Sequence, residues 1–143
     1  MHNEELNESV IIMLDDNIDE IFITRRIVRG VGLVNRFISE QNSENLIQTL
    51  DKQVQLGVNK ESFIVLLDIN MPRINGFEVL KTIRSHASYS TIPVFMLSAS
   101  DDSEDREKSE ELGSNGFLVK PFNQDQFFNA LKNVPTIKQQ LMQ

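Results

Sequence analysis

The sequence contains no cysteine and only two histidines, His2 and His86, far apart in its 143 residues. Disulfide frameworks and thiolate metal sites are thereby excluded, and two scattered imidazoles are too few for a zinc site. No apolar run approaches the ~20 residues that cross a bilayer, and the N-terminal MHNEELNE is too acidic and polar for a secretory signal. The expectation is a cytoplasmic protein with no membrane contact. Basic residues are also scarce: 14 Lys and Arg stand against 21 Asp and Glu, a formal net charge of −7. Nucleic-acid surfaces need clustered cations to displace phosphate counterions, so direct DNA binding is not expected. Internal repeats, low-complexity blocks and interdomain linkers are absent from the sequence. A chain of this length suits one domain, burying roughly two-thirds of the surface its unfolded form exposes. The expected division is a tail over residues 1–8, a folded domain over 9–134 and a second tail over 135–143.

What is present is a set of short apolar runs, each stopped by a polar residue. Val10–Leu14 ends at Asp15-Asp16-Asn17, Phe63–Leu67 at Asp68, Pro93–Leu97 at Ser98, and Gly116–Val119 at Lys120-Pro121. Continuous apolar runs of this length read as strands buried on both faces of a parallel sheet. A less apolar run over Leu33–Ser39, with Val34, Phe37 and Ile38 inward, reads as a strand nearer the sheet edge.

Between the runs lie helical patterns. The first starts at Ile18, carries Ile21, Phe22, Arg25, Ile27 and Val28, and ends at Gly30 and Gly32. The second follows Ser43 as N-cap, with Leu46, Ile47, Leu50 and Val54 on one face. The third runs from near Asn75 to about Ser85 over Phe77, Val79, Leu80 and Ile83. Asp101–Glu111 is a highly charged helix with few apolar anchors, and Gln124–Asn133 turns Phe127, Phe128 and Leu131 inward. Five strands alternating with five helices predict an α/β fold: a doubly wound five-stranded parallel sheet with helices on both faces.

In such a sheet every strand ends at the same edge, where ligands bind. That gathers Asp15, Asp16, Asp68, Ser98 and Lys120. Three carboxylates in one place repel one another, and a hard divalent cation is their natural complement. All-oxygen ligation suits Mg²⁺, which keeps several waters and leaves room for a phosphate oxygen. Lys120 adds a compact ammonium able to contact that phosphate.

These motifs, MLDDN at Asp15 and Asp16, LLDINMPRING at Asp68, FMLSAS at Ser98 and GFLVKPF at Lys120, resemble the receiver domain of two-component response regulators. The resemblance spans Val10 to about Asn133, and it implies the flavodoxin-like receiver fold. It implies Asp68 as phosphoacceptor, taking a phosphoryl group from a phosphohistidine on a sensor histidine kinase or phosphotransfer protein. Asp16 and Asp68 would bind Mg²⁺ directly, Asp15 largely through water, and Asn70 through its backbone carbonyl. Ser98 and Lys120 would each bond a phosphoryl oxygen. Ser98 and Phe117 would form the switch, altering the surface of the Asp101–Leu112 helix, the Phe117 strand and the last helix for a downstream protein target or a homodimer. The chain would catalyse only its own phosphorylation and dephosphorylation. A longer segment near Gln53–Glu61 and the absence of an output domain resemble small regulators associated with phytochrome-type and hybrid kinases.

Other readings of the same residues are weaker. A phosphohydrolase of the aspartyl-phosphate type would carry a D-x-D pattern after its first strand, where this chain has Asp15-Asp16-Asn17. Asp15 to Asp19 resembles the start of a calcium loop, but Glu20 stands where glycine is required. A phosphorylation-independent interaction module on the same fold remains the alternative.

Overall fold

The computed structural model describes residues 9–32, 36–73, 75–135 and 137. Among them, five parallel strands form one sheet in the order β2-β1-β3-β4-β5. The strands are β1 Val10–Leu14, β2 Arg36–Glu40, β3 Phe63–Asp68, β4 Val94–Ser98 and β5 Gly116–Val119. The helices are α1 Ile18–Gly30, α2 Leu46–Gln55, α3 Gly76–Ser85, α4 Ser103–Glu111 and α5 Gln124–Leu131. The doubly wound α/β architecture predicted from the alternating runs is the one observed.

Alternation along each strand divides the continuous apolar runs between two cores. Val10, Ile12, Leu14, Phe63, Val65, Leu67, Val94 and Met96 face one side with Leu46 and Leu50 of α2 and Phe77, Leu80 and Ile83 of α3. Ile11, Met13, Ile64, Leu66, Phe95 and Leu97 face the other, with Ile21 and Val28 of α1 and Phe127 and Leu131 of α5. Both faces are covered, which is why these strands show no polar alternation.

Several local expectations are corrected. The second strand runs over Arg36–Glu40 rather than Leu33–Ser39, and Leu33, Val34 and Asn35 lie outside the described residues. It does occupy the sheet edge, half-buried, as its weaker apolarity implies. Asn42, not Ser43, supplies the cap, accepting from the Glu44 amide, because a 3₁₀ turn over Ser43–Asn45 precedes α2. Starting α2 at Leu46 turns Leu46, Leu50 and Gln53 inward and leaves Val54 exposed. Gln53 is tolerated there because its Oε1 accepts a hydrogen bond from Arg36 of the edge strand. On α1 the inward stripe is Ile21, Thr24 and Val28, so Phe22 faces solvent. The last helix closes at Leu131, two residues short of Asn133.

The polar segment after α3 conceals two anchors. Tyr89 is buried and donates its hydroxyl to Asp51. Arg84 donates through Nε to the Gly113 carbonyl (2.8 Å), through Nη1 to the Ile92 carbonyl (2.8 Å) and through Nη2 to Asn115 Oδ1 (2.9 Å). One guanidinium thus ties the end of α3 to the entries of β4 and β5, satisfying carbonyls that would otherwise be stranded. Helix α4 has a single buried residue, Ser109, and is the least anchored of the five, in keeping with its charge.

Candidate functional site

Parallel register sets the site. Leu14 pairs with Leu67, Asp68 with Leu97, and Ser98 with Val119, so the residues that follow these positions arrive together at the carboxyl edge. The ladder continues one step past the strands: the Asp15 amide donates to the Glu40 carbonyl (3.1 Å), Ile69 to Leu97 (2.9 Å) and Lys120 to Ser98 (2.7 Å). The edge lies at the switch in strand order between β1 and β3, where doubly wound sheets open a crevice.

Asp15 is fully buried and Asp68 nearly so, while Asp16 is exposed. Each of the three brings a carboxylate oxygen within 4.8 Å of the others. Lys120 Nζ stands 3.3 Å from Asp15 Oδ2 and 3.3 Å from Asp68 Oδ1. Burial, then the neighbouring Asp15 charge, pushes the Asp68 pKa up from 3.8 to about 6, against the opposing pull of Lys120 and the Asn70 amide. Burial alone would lower the Lys120 pKa, but Asp68, Asp15 and Glu20 raise it above the ordinary lysine value. The lysine is therefore held as a cation.

The turn after β1 is locked by local hydrogen bonds. Asp15 Oδ1 accepts from the Asn17 amide (2.9 Å), and Asn17 Oδ1 accepts from the amides of Asp19 (2.9 Å) and Glu20 (3.2 Å). The loop after β3 is closed by the Gly76 amide on the Ile69 carbonyl (2.9 Å), with Asn75 Oδ1 capping α3 at Phe77 (2.8 Å). A Cβ on Gly76 would lie 2.3 Å from the Asp68 carbonyl oxygen. Only glycine lets the helix approach the strand end this closely.

Ser98 is fully buried, and its Oγ accepts from the Ser100 amide at 3.1 Å. Asn70 is exposed and forms an isolated bridge with Asn75, at the entrance beside Asp68. Phe117 is half-buried against the core on the α2–α3 side. The Arg106 guanidinium covers the ring at 4.7 Å from its centroid and is itself bound to Asp101 Oδ1 at 2.7 Å.

Of the site residues expected from the sequence, Asp15, Asp16, Asp68, Asn70, Ser98 and Lys120 lie at or next to this edge, while Phe117 lies within β5, opposite Met96. Two participants were not anticipated: Glu20, whose Oε2 lies 4.0 Å from Lys120 Nζ, and Arg106 on Phe117; Gly76, the last residue of the motif at Asp68, is the close-approach residue. Glu20 had a signal in the sequence, since a helix that starts directly after Asp16 must hold its first turn over the same strand end.

The donor set fits a hard divalent cation. All candidate ligands are oxygens, and three carboxylates with one ammonium leave a formal charge of −2, which one such ion neutralises. A groove lined by Asp16, Gln41, Asn42, Ser43, Met71, Pro72 and Arg73 opens beside Asp16.

The sheet order and the acid-and-lysine cluster define a receiver-type α/β domain. Comparison with known proteins gives the same answer: residues 11–132 match the response regulator receiver domain, and the chain belongs to that family. Among relatives, it is 35% identical to Protein PilG of Pseudomonas aeruginosa over 74 residues, 51% of this chain and 55% of PilG. It is 32% identical to the transcriptional regulatory protein CpxR homolog of Haemophilus influenzae over 128 residues, 88% of this chain and 50% of that one. The chain thus spans about half the length of the curated relatives it matches. Among solved structures, the bacteriophytochrome response regulator RtBRR superposes with a TM-score of 0.75 at 29% identity, covering 88% of this chain and 77% of its own. Two-component signalling is the setting of this family, whose receivers interact with histidine kinases and downstream targets. Among the described residues no helix is long and apolar enough to cross a membrane.

Proposed function

We propose that residues 9–134 form a receiver unit in which Asp68 accepts a phosphoryl group from a phosphohistidine on a sensor histidine kinase or phosphotransfer protein. The observation that supports this most is the Lys120 ammonium held 3.3 Å from both Asp15 and Asp68, beside the exposed Asp16. In the transfer, a carboxylate oxygen of Asp68 displaces the imidazole nitrogen from phosphorus. Lys120 follows the new charge outward and bonds one phosphoryl oxygen, and the Ser98 hydroxyl turns from the Ser100 amide to bond another. The protein's contribution is positioning and charge neutralisation, which phosphoryl transfer chiefly requires. The carboxylates of Asp16 and Asp68, Asp15 through water and the Asn70 carbonyl would hold Mg²⁺, whose charge would screen the carboxylates from the incoming phosphoryl oxygens.

The loop after Ser98 leads through Asp101 and Arg106 to the Phe117 ring, so its displacement is felt at β5. We read Ser98 and Phe117 as the switch and α4, β5 and α5 as the surface offered to a protein target or a second copy. The role is a cytoplasmic signalling one without direct DNA contact. Incubation with Mg²⁺ and a small phosphoryl donor tests the proposal by intact mass: the native chain gains one phosphoryl group and Asp68→Ala gains none. A native chain that stays folded and unmodified favours the phosphorylation-independent interaction module instead.

A further inference from the structure

Among the described residues, Glu20 is the one carboxylate at Lys120 that the phosphoacceptor constellation does not use. It is fixed in the first turn of α1 by the Asn17 cap, which Asp15 in turn holds, so its position is tied to the strand end by hydrogen bonds rather than by an exposed loop. The Lys120 side chain is 11% exposed and that of Glu20 35%, so Glu20 lies on the solvent side of the ammonium, Asp15 and Asp68 on the inner side. A phosphoryl group approaching Asp68 from solvent meets Lys120 together with this negative charge.

We propose that Glu20 is a specificity-determining residue that disfavours small, highly charged phosphoryl donors, an inference that rests on Asp68 being the phosphoacceptor. Two physical effects act in one direction. Glu20 competes for the ammonium that a donor oxygen must engage, and it repels the donor directly. A phosphoryl oxygen at hydrogen-bond distance from Lys120 lies at most about 7 Å from the Glu20 carboxylate, the sum of that bond and the Glu20–Lys120 separation. At this distance in water, the repulsion of a dianion corresponds to about a five-fold rate penalty at low salt and about two-fold at physiological salt. A small donor has no other contacts to offset it, whereas a donor carried on a protein surface does.

In the step itself, a carboxylate oxygen of Asp68 bonds to phosphorus; with acetyl phosphate the phosphorus–oxygen bond to the acyl group breaks and acetate leaves with that electron pair, and with phosphoramidate the phosphorus–nitrogen bond of the protonated amine breaks and ammonia leaves. The probes are acetyl phosphate, a dianion at neutral pH, and phosphoramidate, a monoanion. With Mg²⁺ saturating for every variant, Glu20→Gln raises the acetyl phosphate rate about five-fold at low salt, and the gain shrinks as salt rises. The gain with phosphoramidate is about two-fold, because the interaction scales with donor charge. Glu20→Asp, which keeps the charge, stays near the native rate. Rates that are equal for native and Glu20→Gln, or a gain that is independent of salt or donor charge, or the same gain in Glu20→Asp, overturn the inference. A native chain labelled by neither donor overturns the phosphoacceptor reading instead, so the two failures are told apart.

Discussion

Lys120 and Asp68 come from strand ends separated by β4, and yet the ammonium of one stands 3.3 Å from a carboxylate oxygen of the other, with Asp15 Oδ2 at the same distance. The lysine therefore neutralises two acids at once. Lys120→Met leaves them facing each other, raises the Asp68 pKa further above its value of about 6 and removes a donor to the phosphoryl group. The expected result is about a 100-fold loss of phosphorylation rate, in line with removal of one preorganised charge-stabilising donor. Stopped-flow or gel-based labelling against pH measures both the loss and the upward shift of the profile.

Asp68 also carries a stability signature. Its folded-state pKa of about 6 exceeds the 3.8 of the unfolded chain, so the folded form binds the proton more tightly. Stability therefore falls as pH rises from 3.8 to about 6, and the loss is complete above that window. Asp68→Asn, which has no charge to bury, is expected to be more stable than the native chain at neutral pH by about 1–3 kcal/mol. The gain fades as the pH falls from about 6 towards 3.8 and is gone below it, and Mg²⁺ reduces it at neutral pH. Urea denaturation across pH with a chelator, then with Mg²⁺, checks the sign and the window.

Gly76 is a packing requirement of the acceptor strand. A methyl group there would meet the Asp68 carbonyl oxygen at 2.3 Å and Ile69 Cα at 2.9 Å, both backbone atoms that cannot rotate away. Gly76→Ala should destabilise the domain by about 1–3 kcal/mol, the range for overpacking, despite the better helix propensity of alanine. The accompanying amide shifts should centre on Asp68, Ile69 and Asn70 in an ¹⁵N NMR spectrum. Loss of stability without those shifts would mean that the strain is relieved in α3 instead.

Arg106 over Phe117, tethered to Asp101, is a surface cation–π contact worth about 0.5–1 kcal/mol. Such a sum is small for folding but large for a switch between two ring positions. Arg106→Ala should leave the denaturation midpoint nearly unchanged and increase the mobility of a fluorine-labelled Phe117 before phosphorylation. A native Phe117 whose fluorine signal is the same with and without a phosphoryl mimic removes it from the switch.

The fold and the centre of the site were legible because both depend on where apolar runs stop. Asp15, Asp68 and Ser98 each interrupt or follow a buried strand and Lys120 follows the half-buried edge strand β5, and parallel pairing turns four sequence positions into one edge. Details governed by helix phase were not legible. Val54 and Gln53 exchange roles because a 3₁₀ turn resets the start of α2, and Phe22 faces out although its neighbour Ile21 faces in. Contacts made by exposed ions, such as Glu20 at Lys120 and Arg106 at Phe117, have no periodic trace, because a long side chain's reach is set by what packs around it. The hidden Tyr89, in a segment that reads as polar, is of the same kind: its partner Asp51 lies far away in sequence, on α2.

The most direct measurement is the chemical identity of the modified residue. After incubation with Mg²⁺ and a phosphohistidine-bearing phosphotransfer domain, borohydride reduction converts an aspartyl phosphate to homoserine, which peptide mass spectrometry locates in the sequence. The account predicts homoserine at position 68 and nowhere else, and none in Asp68→Asn. Reduction at Asp15 or Asp16, or a phosphate that survives borohydride on Ser98, would contradict it.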